Sequence, residues 1–143
     1  MQWRDMSPEE IATRPEARLG GSLLYVVIVA FVLCVVMLIG LSVAFDQFRA
    51  VAGRFQIALV FVTAWSAAFV VMTALRVRIT PMLASIGIVA WVIYRIFVSA
   101  IGGYGWPLGI DLLAQLAMAL AFCGYMAAGV RPNAYYRRRL PTA

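Results

Sequence analysis

The sequence contains no histidine and no lysine, and all twelve of its basic residues are arginine. Without histidine, neither a Ser/His/Asp triad nor a histidine-ligated metal site can be built. The two cysteines, Cys34 and Cys123, lie in separate apolar runs, which is neither a disulfide framework nor a metal-binding spacing. A glycine-rich phosphate loop is also lacking. We therefore predict no catalytic residues, no metal site, no cofactor and no enzymatic activity.

Charged residues are also scarce, at 13% of 143 residues, whereas 64% of the residues are hydrophobic. A soluble domain of this length cannot bury so much apolar surface. The net charge is +6, but the arginines flank apolar runs instead of forming one basic patch. This pattern is typical of a membrane protein, so the predicted partners are membrane lipids and not nucleic acid.

Four apolar runs are long enough to cross a bilayer as helices. They cover about residues 23–45, 55–75, 82–101 and 108–129. Because the polar links between them are short, consecutive helices are expected to be antiparallel neighbours. The predicted fold is an all-α, up-down bundle of four transmembrane helices (23–129), between an N-terminal segment (1–22) and a basic tail (130–143).

The distribution of arginine predicts the orientation of this bundle. With the N-terminus in the cytoplasm, nine arginines lie on the cytoplasmic side, and two, Arg49 and Arg54, lie on the far side. Positive residues are enriched in cytoplasmic loops. We therefore expect both termini in the cytoplasm and a multi-pass protein of a bacterial inner membrane.

The N-terminal segment contains a helix start. In Ser7-Pro8-Glu9-Glu10, the serine is a helix cap, the proline suits the first turn and Glu10 completes a capping box. The helix must be short because Pro15 follows Arg14. With Trp3, Met6 and Ile11, it is interpreted either as a helix on the membrane surface or as part of a disordered tail.

The fourth apolar run carries a stripe of small residues at alternating steps of three and four. We call this stripe the seam; it consists of Ala114, Ala117, Ala121, Gly124 and Ala128. Small residues on one helix face allow another membrane helix to approach closely. The sequence predicts a packing face here, either within the bundle or against another chain.

Arg95 interrupts the third apolar run, about six residues or roughly 9 Å from its far end. A charge at this depth requires a partner or water. Three hypotheses remain open: a structural ion pair or snorkelling of Arg95 at the rim, a pocket open to the outer side for an anion or headgroup, or a contact with a partner protein. The candidate polar site comprises Arg95, Asp111, Gln115, Asp46 and Tyr94.

The tail combines aromatic and basic residues just after the fourth run: Arg131, Tyr135, Tyr136, Arg137, Arg138 and Arg139. Tyrosine favours the membrane interface, and arginine is attracted to an anionic leaflet. We interpret the tail as a topology signal and interfacial anchor, with a docking site for a partner as the alternative.

Two stretches carry a family resemblance: Arg18-Leu19-Gly20-Gly21-Ser22-Leu23-Leu24 and Asn133-Ala134-Tyr135-Tyr136-Arg137-Arg138-Arg139-Leu140. They resemble the start of the first helix and the basic tail in a family of small bacterial inner-membrane proteins with four helices and no assigned function. That family typically has tryptophan in place of Ser22. The resemblance implies a four-helix fold in the inner membrane, and it implies no activity.

These patterns favour a small accessory or scaffold subunit that packs against other membrane helices through the seam, with another membrane protein or a second copy as its partner. The alternative is a small transporter or a lipid- or anion-binding protein that uses Arg95 and Asp111. A membrane-embedded acid, which an ion pathway normally requires, would favour the alternative. Asp46 and Asp111 both lie at the ends of runs.

Overall fold

A computed structural model describes residues 3–43, 53–102 and 106–142. Within these ranges the helices in chain order are α1 (Pro8–Thr13), α2 (Gly21–Val43), α3 (Gly53–Ala74), α4 (Thr80–Gly102), α5 (Trp106–Ala128) and α6 (Val130–Pro132). A 3₁₀ turn (Pro15–Ala17) follows α1, and a π-helical turn (Asn133–Arg137) follows α6. Two short strands, β1 (Trp3–Asp5) and β2 (Arg139–Pro141), lie near the chain ends.

Helices α2 to α5 are the four predicted membrane-spanning segments. They contain 23, 22, 23 and 23 residues, or about 33–35 Å each at 1.5 Å per residue, which matches a hydrocarbon core of about 30 Å. Their bounds differ from the predicted runs by no more than two residues, the usual uncertainty of a helix end. The prediction of a helical protein with four helices long and apolar enough to cross a membrane is confirmed.

The chain divides into two compact units. One unit is Arg18–Val77 and contains α2 and α3. The other comprises Met1–Ala17 and Arg78–Ala143, and contains the remaining helices and both strands. The N-terminal segment up to Ala17 and the C-terminal tail therefore belong to the same unit as the last two long helices.

In the first unit, α2 packs against α3. The buried side chains recur at steps of three, four or seven, which places them on one face of each helix: Leu23, Ala30 and Cys34 on α2, and Ser66, Phe69 and Thr73 on α3. The hydroxyl of Ser66 donates to the carbonyl of Val62 at 2.8 Å, and that of Thr73 to Phe69 at 2.7 Å. These buried hydroxyls are thus satisfied by their own helix backbone.

In the second unit, α4 and α5 are antiparallel partners. Three side-chain contacts join them, Ser85 with Cys123, Trp91 with Gln115 and Arg95 with Asp111. As the residue number rises along α4, that of the partner on α5 falls. The two helices therefore form a hairpin whose interior includes Val92 on α4 and Ala119 and Met126 on α5.

The two ends of the chain pair with each other in a two-stranded antiparallel ribbon. The paired residues are Trp3 with Pro141, Arg4 with Leu140, and Asp5 with Arg139. Beneath the ribbon lies an apolar cluster of Met6, Ala17, Ala134 and Leu140, with Ile11 packed against it. We call residues 3–17 and 130–142 the terminal module. It places the two chain ends side by side.

The terminal module differs from what the sequence suggested for the N-terminal segment. In place of a disordered tail, the structure has Met6 in one apolar cluster with Ala134 and Leu140 of the C-terminal tail, and Ile11 packed against this cluster. The ribbon also adds a small sheet to a fold predicted to be all-α. The capping box does form as predicted: Ser7 Oγ accepts from Glu10 N at 3.2 Å, and Glu10 Oε2 accepts from Ser7 N at 3.0 Å.

Candidate functional site

A chain of hydrogen bonds crosses from α4 to α5 near one end of the hairpin; we call it the polar network. Arg95 Nη2 donates to Asp111 Oδ2 at 2.6 Å, and Gln115 Nε2 donates to the same oxygen at 2.7 Å. The indole Nε1 of Trp91 donates to Gln115 Oε1 at 3.1 Å. The amide of Gln115 therefore links the ion pair to the tryptophan.

The helical repeat explains why these four residues meet. Trp91 and Arg95 are four residues apart on α4, and Asp111 and Gln115 are four apart on α5. Residues four apart share a helix face. In an antiparallel hairpin these two pairs face each other as two successive cross-links, with Trp91 opposite Gln115 and Arg95 opposite Asp111.

Most polar atoms of the network that are shielded from water have a hydrogen-bond partner within it. The side chain of Arg95 is 26% exposed and that of Asp111 is 49% exposed. Pairing a guanidinium with a carboxylate lowers the cost of placing either charge in an apolar medium. One atom is left over, because Arg95 Nε is buried without a hydrogen-bond partner. The arrangement therefore fits a structural ion pair, with one donor remaining for a ligand or water.

The structure brings three of the five predicted polar residues together directly, namely Arg95, Asp111 and Gln115. Tyr94 lies beside the network, with its ring tilted by 34° against Trp91 at a centroid distance of 5.9 Å. Asp46 lies outside the described residues. The sequence analysis missed Trp91, although its spacing of four from Arg95 and its indole donor were visible signals.

The seam lies on the opposite side of α5 from the network. All five of its residues, Ala114 through Ala128, are exposed. Ala119 and Met126, which are buried, mark the side of α5 towards α4. At 3.6 residues per turn, the centre of the seam is roughly 160° around the helix from that side. A Cβ added at Gly124 would meet nothing within 4 Å. The seam is therefore a shallow strip of small residues that does not contact α4.

All six tail residues belong to the terminal module, and its two tyrosines are buried. Tyr135 and Tyr136 are 6% and 3% exposed, and their rings meet edge to face at 5.0 Å. Arg137 Nη1 donates to Asn133 Oδ1 at 3.1 Å, and Arg139 Nε donates to Asp5 Oδ1 at 3.0 Å. Both rings thus pack within the terminal module, and the role of the tail as a topology signal and interfacial anchor stays a prediction. Arg131 and Arg138 complete the basic set; Arg138 has a left-handed backbone with φ of 54°.

Asn133 attaches the tail to the end of α5. It is 2% exposed, and its Nδ2 donates to the carbonyls of Ala127 at 3.0 Å and Gly129 at 2.9 Å. The carbonyl of Ala127 lies in the last turn of α5, where helix carbonyls lack an intrahelical N–H donor, and that of Gly129 also accepts the backbone N–H of Asn133 at 3.2 Å. We did not single out Asn133 from the sequence, because an isolated asparagine after a helix is also typical of a loop.

Charge interactions also stabilise the N-terminal half of the module. Arg4 donates through Nη1 and Nη2 to both oxygens of Glu10, at 2.9 and 2.5 Å. The hydrogen bond from Arg4, followed by that from the Ser7 backbone, lowers the pKa of Glu10 to about 2. The same contact raises the pKa of Arg4 above its usual value. Glu10 therefore links β1 to the start of α1 through its ionised form.

The comparisons with known proteins add no relative: no family model, no curated protein and no solved structure matches the chain. The resemblance to small four-helix inner-membrane proteins at Gly20-Gly21 and in the tail stays a prediction. The class that the fold defines is a helical protein with four helices long and apolar enough to span a membrane.

Proposed function

We propose that this protein is a small multi-pass accessory or scaffold subunit of a bacterial inner membrane, which packs against other membrane helices through the seam on α5. The observation that supports this most directly is the exposure of all five seam residues. In lipid, helices associate through close backbone approach, which alanine and glycine permit. A strip of this composition that does not contact α4 favours a contact with a further helix.

The polar network supports the same proposal. It uses the charged and amide side chains between α4 and α5 within the hairpin itself. A hairpin cross-linked in this way presents the opposite face of α5 with little freedom to rotate. A fixed face is what a packing surface requires, since preorganisation lowers the cost of association.

The orientation in the proposal rests on two independent features. Nine arginines fall on the side of the termini and two on the other side, which favours cytoplasmic termini. The pairing of β1 with β2 supports a position of both chain ends on one side, which an even number of crossings also gives. A periplasmic reporter fused after Ala143 is expected to be inactive, and an active one would refute this orientation.

The proposed subunit role is tested by replacing a small residue of the seam with a bulky one. Ala121→Leu places a bulky side chain in the seam, whereas Ala127→Leu makes the same change at an exposed alanine of α5 outside it. After extraction from native membranes in mild detergent, native mass spectrometry reports the associated chains. We expect Ala121→Leu to lose a stoichiometric partner that the wild type and Ala127→Leu retain. Equal association in all three proteins would refute the role of the seam.

One observation favours the alternative of an anion- or lipid-binding protein or small transporter: the buried Nε of Arg95 has no partner. On that hypothesis an anion would complete the guanidinium. Addition of inorganic phosphate should then raise the melting temperature of the wild type and not that of Arg95→Ala. An unchanged melting temperature in both proteins would leave the ion pair as purely structural.

A further inference from the structure

The terminal module contains a cleft that the proposed subunit role does not use. Its volume is about 290 Å³, and it is lined by Arg4, Arg14, Glu16, Val130, Leu140 and Pro141. This is at the small end of the range for ligand sites. Val130 follows closely after Ala128, the last residue of α5. The cleft therefore lies at the end of a membrane-spanning helix, where lipid headgroups are found.

Glu16 carries the first indication of a ligand. Its Oε2 is buried and has no hydrogen-bond partner, although its residue lines the cleft. A buried carboxylate oxygen without a donor is costly, and most such atoms in proteins are paired. The missing partner is a hydrogen-bond donor, and a cationic donor forms the strongest bond to a carboxylate.

The two arginines carry the second indication. Arg4 is held in position by its double contact with Glu10. Arg14 Nη2 lies 3.9 Å from Glu10 Oε1, beyond hydrogen-bond distance, and its side chain is 47% exposed. The guanidinium of Arg14 thus keeps donors for an anion at the cleft. Arginine at such positions is well suited to phosphate, which it can contact through two parallel N–H groups.

We propose that this cleft binds a phosphoethanolamine group, with its phosphate on Arg14 and Arg4 and its ammonium on Glu16. The apolar part of the lining, Val130, Leu140 and Pro141, would contact the carbon chain between the two charged ends. The ligand thus matches the cleft at three places: an anion, a short apolar stretch and a cationic donor.

The same chemistry discriminates against related groups. A phosphocholine group carries a cation without N–H, so it cannot donate to Glu16 Oε2. A phosphoglycerol group has a hydroxyl donor without positive charge, and a bare phosphate leaves the carboxylate unpaired and repelled. Phosphoethanolamine could reach the cleft as a lipid headgroup or as a soluble molecule, because both offer the same charged atoms.

The lipid source is tested with the full chain in nanodiscs of equimolar phosphatidylethanolamine, phosphatidylcholine and phosphatidylglycerol. Native mass spectrometry after release measures which lipid stays bound. We expect phosphatidylethanolamine to be enriched roughly tenfold over phosphatidylcholine, the factor that one charge-assisted hydrogen bond supplies. Glu16→Gln should abolish this preference. The control Glu9→Gln, at an exposed glutamate of α1 outside the cleft lining, should keep it.

The soluble source is tested in nanodiscs of phosphatidylcholine alone, with phosphoethanolamine added to the buffer. A rise in melting temperature for the wild type and Glu9→Gln, but not for Glu16→Gln or Arg14→Gln, would support the site with a soluble ligand. Circular dichroism of each variant verifies that it is folded. If neither source shows a preference, or if Glu16→Gln behaves as the wild type does, the proposal is overturned.

Discussion

The guanidinium of Arg95 on α4 lies 2.6 Å from the carboxylate of Asp111 on α5, across sixteen residues of sequence. Gln115, one helical turn along α5 from Asp111, is another polar side chain of that helix named as a candidate site residue. In the structure Arg95 reaches Asp111, and Gln115 bridges to Trp91 instead. Arg95 and Asp111 therefore lie level with each other across the hairpin, one helical turn from the contact of Trp91 with Gln115.

Removal of one partner of this ion pair is expected to destabilise the hairpin. Because both side chains are partly exposed, we expect Arg95→Ala to cost about 1–2 kcal/mol, below the range for a fully buried pair. Arg95→Lys should rescue this only in part, since lysine lacks the planar fork. The double variant Arg95→Ala/Asp111→Ala should lose less than the sum of the two single variants. Thermal unfolding in detergent measures these effects, and unchanged melting of both single variants would contradict a structural ion pair.

The link between α5 and the tail depends on the absence of a side chain at Gly129. A Cβ there would collide with the carbonyl oxygen of Tyr125 and lie 3.0 Å from Pro132 Cδ. Gly129→Ala is therefore expected to destabilise the protein by about 1–3 kcal/mol, the usual cost of overpacking. Gly124→Ala is the matched control, because nothing lies within 4 Å of its added Cβ. Equal melting temperatures for the two variants would show that the close approach at Gly129 is not present.

Loss of the amide donors of Asn133 is expected to lower the stability of the protein. Asn133→Asp would place a carboxylate against the carbonyl oxygens of Ala127 and Gly129, in a position that is 2% exposed. We expect a loss of about 1–3 kcal/mol, because the buried acceptors lose their donor. Limited proteolysis should cut the C-terminal tail faster in this variant. A tail as resistant as that of the wild type would argue against the anchoring role.

The terminal module should weaken in acid through Glu10. Its pKa is about 2 in the folded protein, against a usual value of 4.5. A lowered pKa contributes stability that is fully present above pH 4.5 and is lost as the pH falls from there towards 2. Amide hydrogen exchange of β1 and α1 across this window should show the loss. In Glu10→Gln the protection should be weaker at neutral pH and should not change with pH; a wild-type response that persists in this variant would point to another carboxylate.

The long helices were predictable from the sequence, because runs of more than twenty apolar residues leave little choice of structure in lipid. The capping box at Ser7 was also predictable, since it depends only on residues three apart. The ribbon was not: its strands have three residues each, too few for an alternating pattern, and Asp5 meets Arg139 across 134 residues. Burial of Tyr135 and Tyr136 depends on that same long-range pairing.

The candidate site was predictable in its composition and not in its partners. An arginine within an apolar run indicates a polar site, because its charge needs a partner there. The acid on the next helix is the expected partner. Which carboxylate or amide it meets depends on the register of α4 against α5, and the sequence does not encode that register in any local pattern. The direction of the seam was open for a related reason: small residues permit close approach but do not specify the helix that approaches.

The central claim, that the seam packs against another membrane protein or a second copy, is tested most directly by photo-cross-linking in intact membranes. A photoreactive amino acid replaces Ala121 in the seam or, as the control, Leu120, which is 66% exposed and lies outside it. We expect position 121 to give one discrete protein adduct of higher mass, and position 120 to react mainly with lipid. Adducts at position 121 with lipid alone, or internal cross-links within one molecule that add no protein mass, would contradict the account.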